Sequence, residues 1–435
     1  MAPPEMTHTP PDRFARLQAL QRPAARPLVP QRRIVLEPVM EPSAMSPAPA
    51  ECTDWQAQIL GARIERNRFG EYLAVRHSFP EPAQIACDTR ALRLLSPGAT
   101  AAVADPRQWL FLDTETTGLS GGTGTYAFLV GLAWWEAGGL EVEQFFMRDL
   151  NEEWPVLAAL AERLEKRRVL VTFNGKSFDW PLLETRYRIT RTIAPPLPCA
   201  HLDLLHPARN LWRLRLGSVR LAELERQVLG WDRGEDLMSD LIPHIYHEFL
   251  RAGSPEPLLP VFRHNQMDLR GLATLACRVL ALLADPETCG QDALELYGVS
   301  RLCERRGELN RARKLYEQSI TSSLPAETDR AARRSLARLA KREGDFRTAR
   351  ELWETAVGTS REGLEAYEQL AIYYEHRARE PQRVAEIARQ ALAELRRASR
   401  LGLIAAGAYA QNKAKFERRL ARLERKTGLM LDPLP

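Results

Sequence analysis

The sequence predicts an α/β domain with a mixed sheet, followed by an all-helical region, and three observations lead to this fold class. Three apolar segments have the length and composition of strands, and Ala137-Gly-Gly139, between the second and the third, is a short hairpin signal. Strand and helix patterns then alternate, which is typical of parallel strands. Beyond residue 290 the apolar residues recur at the spacing of amphipathic helices.

The elements of the α/β domain follow from these patterns in chain order. The three antiparallel strands are predicted at Trp109–Glu115, Tyr126–Glu136 and Leu140–Met147. Two further strands, at Val169–Phe173 and Ala200–Leu205, follow helices predicted at Glu152–Lys166 and from about Asp179. Helical patterns continue from there to about Ala284. The predicted sheet therefore has three antiparallel strands plus parallel strands, with helices flanking it.

A chain of 435 residues is longer than one ordinary domain, so two or three domains are expected. Residues 1–50 are rich in Pro, Ala and Arg, which predicts a disordered leader. Residues 51–105 are predicted to form a small β-rich prelude. The α/β domain is predicted over residues 106–285 and the helical region over residues 290–435.

Two segments of the helical region resemble each other. Residues 306–316 and 343–353 align at an offset of 37 residues, and the second residue of each segment is a glycine. A glycine turn between two helices, repeated at about this period, resembles tetratricopeptide-like (TPR) helical hairpins. Such repeats stack on one another and present a groove. The resemblance implies that this region binds a protein partner.

Composition and charge exclude some classes of protein. A hydrophobic content of 45% and a charged content of 27% are those of a globular protein, and no apolar run of about 18 residues predicts a membrane span. The six cysteines are scattered without a C-x-x-C pair, so we expect neither a zinc ribbon nor a disulfide framework. This use of cysteine predicts a cytoplasmic location. Residues 301–435 hold 29 Lys and Arg against 19 Asp and Glu, whereas residues 1–300 hold 32 against 37. The basic part would attract a polyanion, unless its arginines are simply solvated.

Asp113 and Glu115 follow the apolar start of the first strand, in the run Asp113-Thr-Glu-Thr-Thr-Gly-Leu119. Side chains two residues apart on a strand share a face, so both carboxylates project the same way. Two carboxylates this close repel each other unless a positive charge lies between them. A hard divalent cation with oxygen ligands, Mg²⁺ or Mn²⁺, is the usual solution.

Two further blocks carry acidic residues. In the first, Thr172 to Arg186, Asp179 lies where a helix starts and could simply cap it. In the second, Phe262 to Leu272, His264 and Asp268 are four residues apart and so share one helix face.

Taken together and in this order, the three blocks resemble the DEDD exonucleases of the ribonuclease H-like superfamily, and among these the YprB-like group. The resemblance covers about residues 105–285. It implies four acidic metal ligands, Asp113, Glu115, Asp179 and Asp268, and a mixed antiparallel and parallel sheet. It also implies attack on nucleic acid from the 3′ end. Two cations about 3.5–4 Å apart would activate the water and stabilise the leaving oxygen.

The remaining candidate residues surround this acidic set. His264 is the expected general base, since an imidazole titrates near neutral pH. However, DEDD enzymes have either H-x-x-x-x-D or Y-x-x-x-D, and this chain combines the histidine with the shorter spacing, so His264 could instead bond Asp268 or a phosphate. The turn residues Thr116, Gly118 and Leu119 are expected to hold a terminal nucleotide. Asn174 and Lys176 are expected to contact a phosphate, or else to be a turn residue and a solvated lysine.

The principal hypothesis is therefore a metal-dependent 3′–5′ exonuclease. One alternative is an adaptor protein whose nuclease fold only grips nucleic-acid ends while the helical repeats recruit a partner. Another is a ribonuclease H-type endonuclease that acts on hybrids, which the histidine-bearing third block disfavours. The motifs leave the choice between DNA and RNA open, because that choice depends on contacts to the 2′-hydroxyl.

Overall fold

The computed structural model of the protein describes residues 54–82, 87–100, 103–118, 123–193, 196–234, 236–290, 292–357 and 363–427. The predicted disordered leader at residues 1–50 lies outside the described residues, and so does Leu119, one of the expected substrate-binding residues.

Within the described residues one mixed sheet of seven strands forms the centre of the fold. The strands are β1 (Arg63–Asn67), β2 (Gly70–Phe79), β3 (Trp109–Thr116), β4 (Ala127–Glu136), β5 (Gly139–Phe146), β6 (Val169–Thr172) and β7 (Ala200–Asp203). Their order across the sheet is β1-β2-β5-β4-β3-β6-β7. The pairs β1–β2, β2–β5, β5–β4 and β4–β3 are antiparallel, and the pairs β3–β6 and β6–β7 are parallel. The predicted mixed sheet is confirmed.

Strands β1 and β2 come from the segment predicted as a β-rich prelude. Strand β2 pairs with β5, with Leu73 opposite Phe146 and Phe79 opposite Leu140, so this hairpin extends the sheet of the α/β domain. The hairpin between β4 and β5 turns at Gly139, whose φ of 136° is accessible to glycine and to few other residues.

Helices cover both faces of the sheet. They are α1 (Asp54–Leu60), α2 (Thr89–Leu95), α3 (Glu153–Lys166), α4 (Asp179–Thr190), α5 (Leu205–Leu216), α6 (Leu221–Leu224), α7 (Ile242–Ala252), α8 (Leu259–Ala284) and α9 (Pro286–Cys289). Short 3₁₀ turns lie at Pro106–Gln108, Leu150–Glu152 and Glu256–Leu258, and a π-helical turn lies at Glu225–Leu229.

Strand β3 shows how the two faces divide. Trp109 and Phe111 pack in the core that contains α2, α5 and α8. Leu110 and Leu112 pack in the core that contains α3 and α4. Because side chains alternate along a strand, the odd-numbered residues that follow Phe111 also face α8.

The helical region follows as α10 (Ala293–Arg306), α11 (Leu309–Thr321), α12 (Ala326–Glu343), α13 (Phe346–Ala356), α14 (Gly363–Tyr373), α15 (Pro381–Arg400) and α16 (Ala406–Thr427), with a π-helical turn at Tyr374–Ala378. Gly307 and Gly344 end α10 and α12 in the left-handed conformation, with φ of 80° and 82°. The two glycines that align in the sequence therefore occupy equivalent turns. The assignment of these helices as TPR-like repeats stays a prediction.

The α/β domain and the first helices of the helical region share one hydrophobic core. That core runs from Trp109 and Phe111 through α8 to Leu315 of α11 and Leu339 of α12. Trp212 of α5 also donates a buried 2.7 Å hydrogen bond to Glu295 of α10. A second core joins α12 to the helices that follow it, up to α16.

In the described part of the chain, no helix combines the length and the apolar character that crossing a membrane requires.

Candidate active site

The carboxyl end of β3 carries the first two acidic residues of the candidate site. Asp113 and Glu115 lie on the face of the sheet that packs against α8, as the alternation along β3 requires. Glu115 is only 9% exposed, and the charges that act on it are the carboxylates of Asp268, Asp179 and Asp236. A nearly buried carboxylate beside other carboxylates favours a cation among them.

Asp113 is held by Asn265 of α8, a residue to which the sequence analysis gave no role. The Asn265 amide Nδ2 donates to Asp113 Oδ2 at 2.8 Å, and Asn265 Oδ1 accepts from Gln144 Nε2 of β5 at 2.8 Å. Gly131 of β4 lies opposite Asp113, and a Cβ atom there would lie 2.1 Å from Asn265 Oδ1. This contact requires glycine at position 131. The only sequence signal for Asn265 was its position beside His264.

Asp179 begins α4 and reaches β3 from the other face of the sheet. Its Oδ1 accepts a 2.5 Å hydrogen bond from the Thr114 hydroxyl, the residue between Asp113 and Glu115. Helix α4 starts without a side-chain cap at Phe178, so Asp179 is not the N-cap that the simpler interpretation proposed.

The four predicted acidic residues are close enough to influence one another's ionisation. Burial raises the pKa of Asp113 well above its usual value, and the charges of Asp268, Glu115 and Asp179 raise it further. Burial also raises the pKa of Glu115, with Asp268 and Asp179 adding to the effect. The pKa of Asp179 is raised by burial, against the hydrogen bond from Thr114. The structure thus brings together the set that the sequence predicted.

Arg233 introduces a positive charge that the sequence analysis did not anticipate. Its guanidinium Nη2 lies 2.5 Å from Asp268 Oδ1, and the same group bonds Glu225 and Asp236. Glu225 is fully buried and packs against Gly271 of α8, where a Cβ atom would lie 1.6 Å from Glu225 Oε1. No local motif marks Arg233, because its three partners are up to 35 residues away in the chain.

His264 lies one turn before Asp268 on α8 and is 6% exposed. Its Nδ1 lies 2.7 Å from Asp236 Oδ1, whereas its Nε2 lies 3.6 Å from Asp268 Oδ2 and 3.5 Å from the Ser239 hydroxyl. Burial by itself would raise the pKa of Asp236, but hydrogen bonds from His264 and Arg233 bring it below its usual value. An ionised Asp236 on Nδ1 holds the imidazole so that Nε2 faces the acidic set.

The donor chemistry of the site fits a hard divalent cation. Carboxylate oxygens are the ligands that Mg²⁺ and Mn²⁺ prefer, and Asp113, Glu115, Asp179 and Asp268 supply them at one edge of the sheet. As the side chains stand, no three His, Cys, Asp or Glu residues among the described residues are arranged to hold a metal ion. Asp268 Oδ1 pairs with the Arg233 guanidinium at 2.5 Å.

The other predicted residues lie in the two turns beside this set. The Thr116 hydroxyl donates to the Gly118 carbonyl at 2.9 Å, so it stabilises its own turn. The amides of Asn174 and Lys176 donate to Asp203 at 2.8 and 3.0 Å, and Asp203 also accepts from the amide of Leu205. The Asp203 carboxylate therefore joins the turn after β6 to the start of α5, because it accepts hydrogen bonds from backbone amides of both segments. The Lys176 side chain is exposed.

An exposed aromatic side chain adjoins the site. Phe178, immediately before Asp179, is 62% exposed although it is a large apolar residue. Aromatic faces exposed beside a nucleic-acid site commonly stack on bases.

Comparisons with known proteins relate the chain to a superfamily and to a protein of similar sequence. Residues 110–280 match a model of the RNase_H superfamily. Over 317 residues the chain is 32% identical to a protein of Bacillus subtilis (strain 168) named "Uncharacterized protein YprB", and the match covers 73% of this chain and 74% of that protein.

Among solved structures, the family B DNA polymerase of the archaeon Pyrobaculum calidifontis is similar to this chain. The match covers 46% of this chain and 29% of the polymerase chain. The identity is 15% and the TM-score is 0.33, too low for a conclusion about function.

Proposed function

The chain belongs to the family of Bacillus subtilis YprB and contains a domain of the ribonuclease H superfamily, and from this premise we propose that it is a metal-dependent nuclease. The observation that supports this most is the mutual effect of four carboxylates at one edge of the sheet. Each of Asp113, Glu115 and Asp179 has a raised pKa because it is buried near other acids. A protein retains such an arrangement at a cost in stability, which a bound cation offsets.

The reaction that we propose is hydrolysis of a phosphodiester bond from the 3′ end of a nucleic acid. The resemblance of the four acids to those of the DEDD exonucleases supports this proposal, and the superfamily match over residues 110–280 spans all four of them. We propose Asp113, Glu115, Asp179 and Asp268 as ligands of two Mg²⁺ or Mn²⁺ ions. When bound, such ions activate water and stabilise charge on the leaving oxygen.

The residues of the chain then have separate tasks. His264 Nε2 is the proposed acceptor of the proton from the attacking water, and Asp236 keeps the imidazole oriented through Nδ1. Asn265 fixes the rotamer of Asp113 by its 2.8 Å hydrogen bond. The turns containing Thr116, Gly118 and Leu119, and Asn174 and Lys176, are proposed to hold the terminal nucleotide and a phosphate. The TPR-like helices are proposed to bind a protein partner.

A second candidate function is that of an adaptor that grips nucleic acid without efficient cleavage. The 2.5 Å contact between Arg233 and Asp268 favours it, because a guanidinium can compensate the acids in place of a metal ion. The two functions differ in whether divalent cations bind tightly.

One experiment tests the proposed function with two readouts. Single-stranded DNA and RNA oligonucleotides, labelled at the 3′ or the 5′ end, are incubated with the full chain in Mg²⁺, Mn²⁺ or EDTA. Thermal unfolding is recorded in the same three buffers, because a ligand that binds only the folded state raises its stability. We expect metal-dependent stepwise shortening from the 3′ end and a higher melting temperature with metal.

The variants Asp113→Asn and Asp240→Asn form a matched pair. Asp240 is exposed, whereas Asp113 lies in the acidic set. Asp113→Asn should lower cleavage by more than about a hundredfold and reduce the metal-induced stabilisation, and Asp240→Asn should change neither. Intact oligonucleotides in every buffer, together with no effect of metal on the melting temperature, would contradict the nuclease function and favour the adaptor.

A further inference from the structure

A basic cleft lies outside the acidic site, between the start of α5 and the end of α10. Its volume is about 470 Å³, and its polar lining includes Arg209 and Asn210 of α5 and Arg305 and Arg306 of α10. The apolar remainder of the lining includes the end of α2 at Leu94 and Leu95. The α/β domain and the helical region therefore both contribute to this cleft.

Neutral groups orient two of the three arginines of the cleft. Arg305 Nη2 donates to the Asn210 side-chain oxygen at 2.8 Å. Arg306 donates to the backbone carbonyls of Leu94 and Leu95 at 3.0 and 3.3 Å. Arg209 is exposed. In the described part of the chain, no carboxylate lies within salt-bridge distance of any of the three, in contrast to Arg215 on the same helix, which pairs with Asp292 at 2.9 Å.

The surroundings of Arg305 disfavour its charge on balance. Partial burial lowers the pKa of Arg305 first, the charges of Arg301 and Arg306 lower it further, and Tyr316 and Glu304 oppose this effect. Positive side chains that are held in place without acidic partners favour binding of an anion. A guanidinium also matches a phosphate group geometrically, since it can donate two parallel hydrogen bonds.

The cleft is connected to the candidate active site through Asp203. Asp203 is the last residue of β7, the strand that pairs with β6. Its carboxylate accepts hydrogen bonds from the backbone amides of Asn174, Lys176 and Leu205. The turn of Asn174 and Lys176 leads directly to Asp179, and Leu205 begins α5, the helix that carries Arg209. Lys176 in this turn and Arg209 on α5 are both exposed, so each of the two segments that Asp203 joins carries a solvent-accessible positive charge.

We propose that this cleft binds backbone phosphates of a single-stranded nucleic acid whose 3′ end lies at the acidic residues. The inference rests on the proposed function, because it supplies the path of the strand away from that site. Arg209 and Arg305 contact the phosphates, and Asn210 and the Leu94 and Leu95 carbonyls hold the neighbouring guanidinium groups in place. The cleft binds without sequence preference, since phosphate contacts do not read bases.

The test measures binding separately from cleavage. Fluorescence anisotropy with a 5′-fluorescein-labelled single-stranded oligonucleotide is recorded in EDTA at several salt concentrations. The Arg209→Glu/Arg305→Glu variant is compared with Arg63→Glu/Arg68→Glu, which makes the same change of charge at exposed positions on and beside β1, the opposite edge of the sheet. Arg209→Gln is a milder variant for the case in which charge reversal prevents folding.

We expect the cleft variant to weaken binding about tenfold, and to lower the slope of log K against log salt by about 1.4, the value for two lost contacts to a single strand. The β1 variant should keep the slope of the unmodified protein. Unchanged affinity and slope in both cleft variants would overturn the proposed cleft and leave the nuclease function intact. Tight binding with no cleavage in Mg²⁺ or Mn²⁺ would overturn the nuclease function alone. A protein that binds no oligonucleotide would overturn both.

Discussion

Arg233 compensates three acidic groups at once, and this makes it the most consequential side chain that no sequence motif marked. Arg233→Ala would leave Glu225 fully buried without its cation and Asp268 without its 2.5 Å partner. Because breaking a buried ion pair leaves an uncompensated charge, we expect the free energy of unfolding to fall by about 3 kcal/mol. Urea denaturation monitored by circular dichroism measures this.

Arg226→Ala is the control for that experiment. Arg226 pairs with Glu223 on the protein surface, where a salt bridge contributes about 0.5 kcal/mol or less. Equal losses in the two variants would mean that the Arg233 network does not stabilise the fold. A gain in metal affinity in Arg233→Ala would also indicate that the guanidinium competes with a cation for Asp268.

Phe178 is exposed next to Asp179, so its removal should affect the ligand more than the fold. We expect Phe178→Ala to weaken binding of single-stranded nucleic acid about tenfold, the effect of losing one base stacked on an aromatic ring, with the melting temperature unchanged. Leu197→Ala is the control, because Leu197 is 81% exposed and does not adjoin the acidic set in the chain. An anisotropy titration that gives equal affinities for the two variants would rule out stacking on Phe178.

At the scale of single residues, the sequence predicted the acidic groups but not the groups that position them. Asp113 and Glu115 could be predicted because alternation along a strand is a local property. Asn265, Arg233 and Asp236 act through contacts between segments distant in the chain. Asn265, for example, touches Asp113 across 152 residues. Only the folded structure reveals such contacts.

At the scale of elements, the pairing of β6 and β7 partly buries His201, which favours the uncharged form of its imidazole. His201 shares a 2.8 Å hydrogen bond with the Thr172 hydroxyl, and burial, aided by the charge of Lys176 and opposed by that of Asp203, lowers the pKa of His201 to about 4. An unfolded chain binds the proton near pH 6.5. Between these values the unfolded state carries more protons, so stability falls as the pH falls from about 6.5 to about 4.

His201→Gln should therefore flatten the acid side of the stability profile. We expect the unmodified protein to lose up to about 1.4 kcal/mol per pH unit more than the variant below pH 6.5. Urea denaturation at intervals between pH 4.5 and about 7.5 measures this slope. His244→Gln, a change at an exposed histidine, should keep the slope of the unmodified protein. Identical slopes for all three proteins would contradict the lowered pKa of His201.

The strands of the α/β domain could be predicted because their signals are local. The apolar segments and the Ala137-Gly-Gly139 turn correspond to β3, β4 and β5. The membership of β2 in the same sheet was not predicted, because its partner β5 lies about 60 residues further along the chain and neither strand carries a mark of that pairing. The equivalent turns at Gly307 and Gly344 followed from the aligned segments.

At the scale of the whole molecule, the common core bears on where the chain can be divided. The boundary predicted near residue 285 separates α8 from α10 and α11, although all three contribute to one hydrophobic cluster. We expect a fragment of residues 54–285 to be aggregated or partly unfolded and a fragment of residues 54–343 to fold, because the second keeps that cluster whole. Near-ultraviolet circular dichroism and resistance to limited proteolysis would measure this. A cooperative thermal transition in the shorter fragment would show that the α/β domain is autonomous.

The closeness of Gly131 to Asn265 limits how this protein can change over generations. A side chain at position 131 would collide with Asn265 Oδ1, and a shorter residue at position 265 would release both Asp113 and Gln144. Either substitution made alone would disturb the position of Asp113. Positions 131 and 265 can therefore change only together, and single substitutions at either position are selected against. Among the described residues, no atom lies within 4 Å of a Cβ added at Gly98 or Gly124, so each of these positions can change independently of its neighbours.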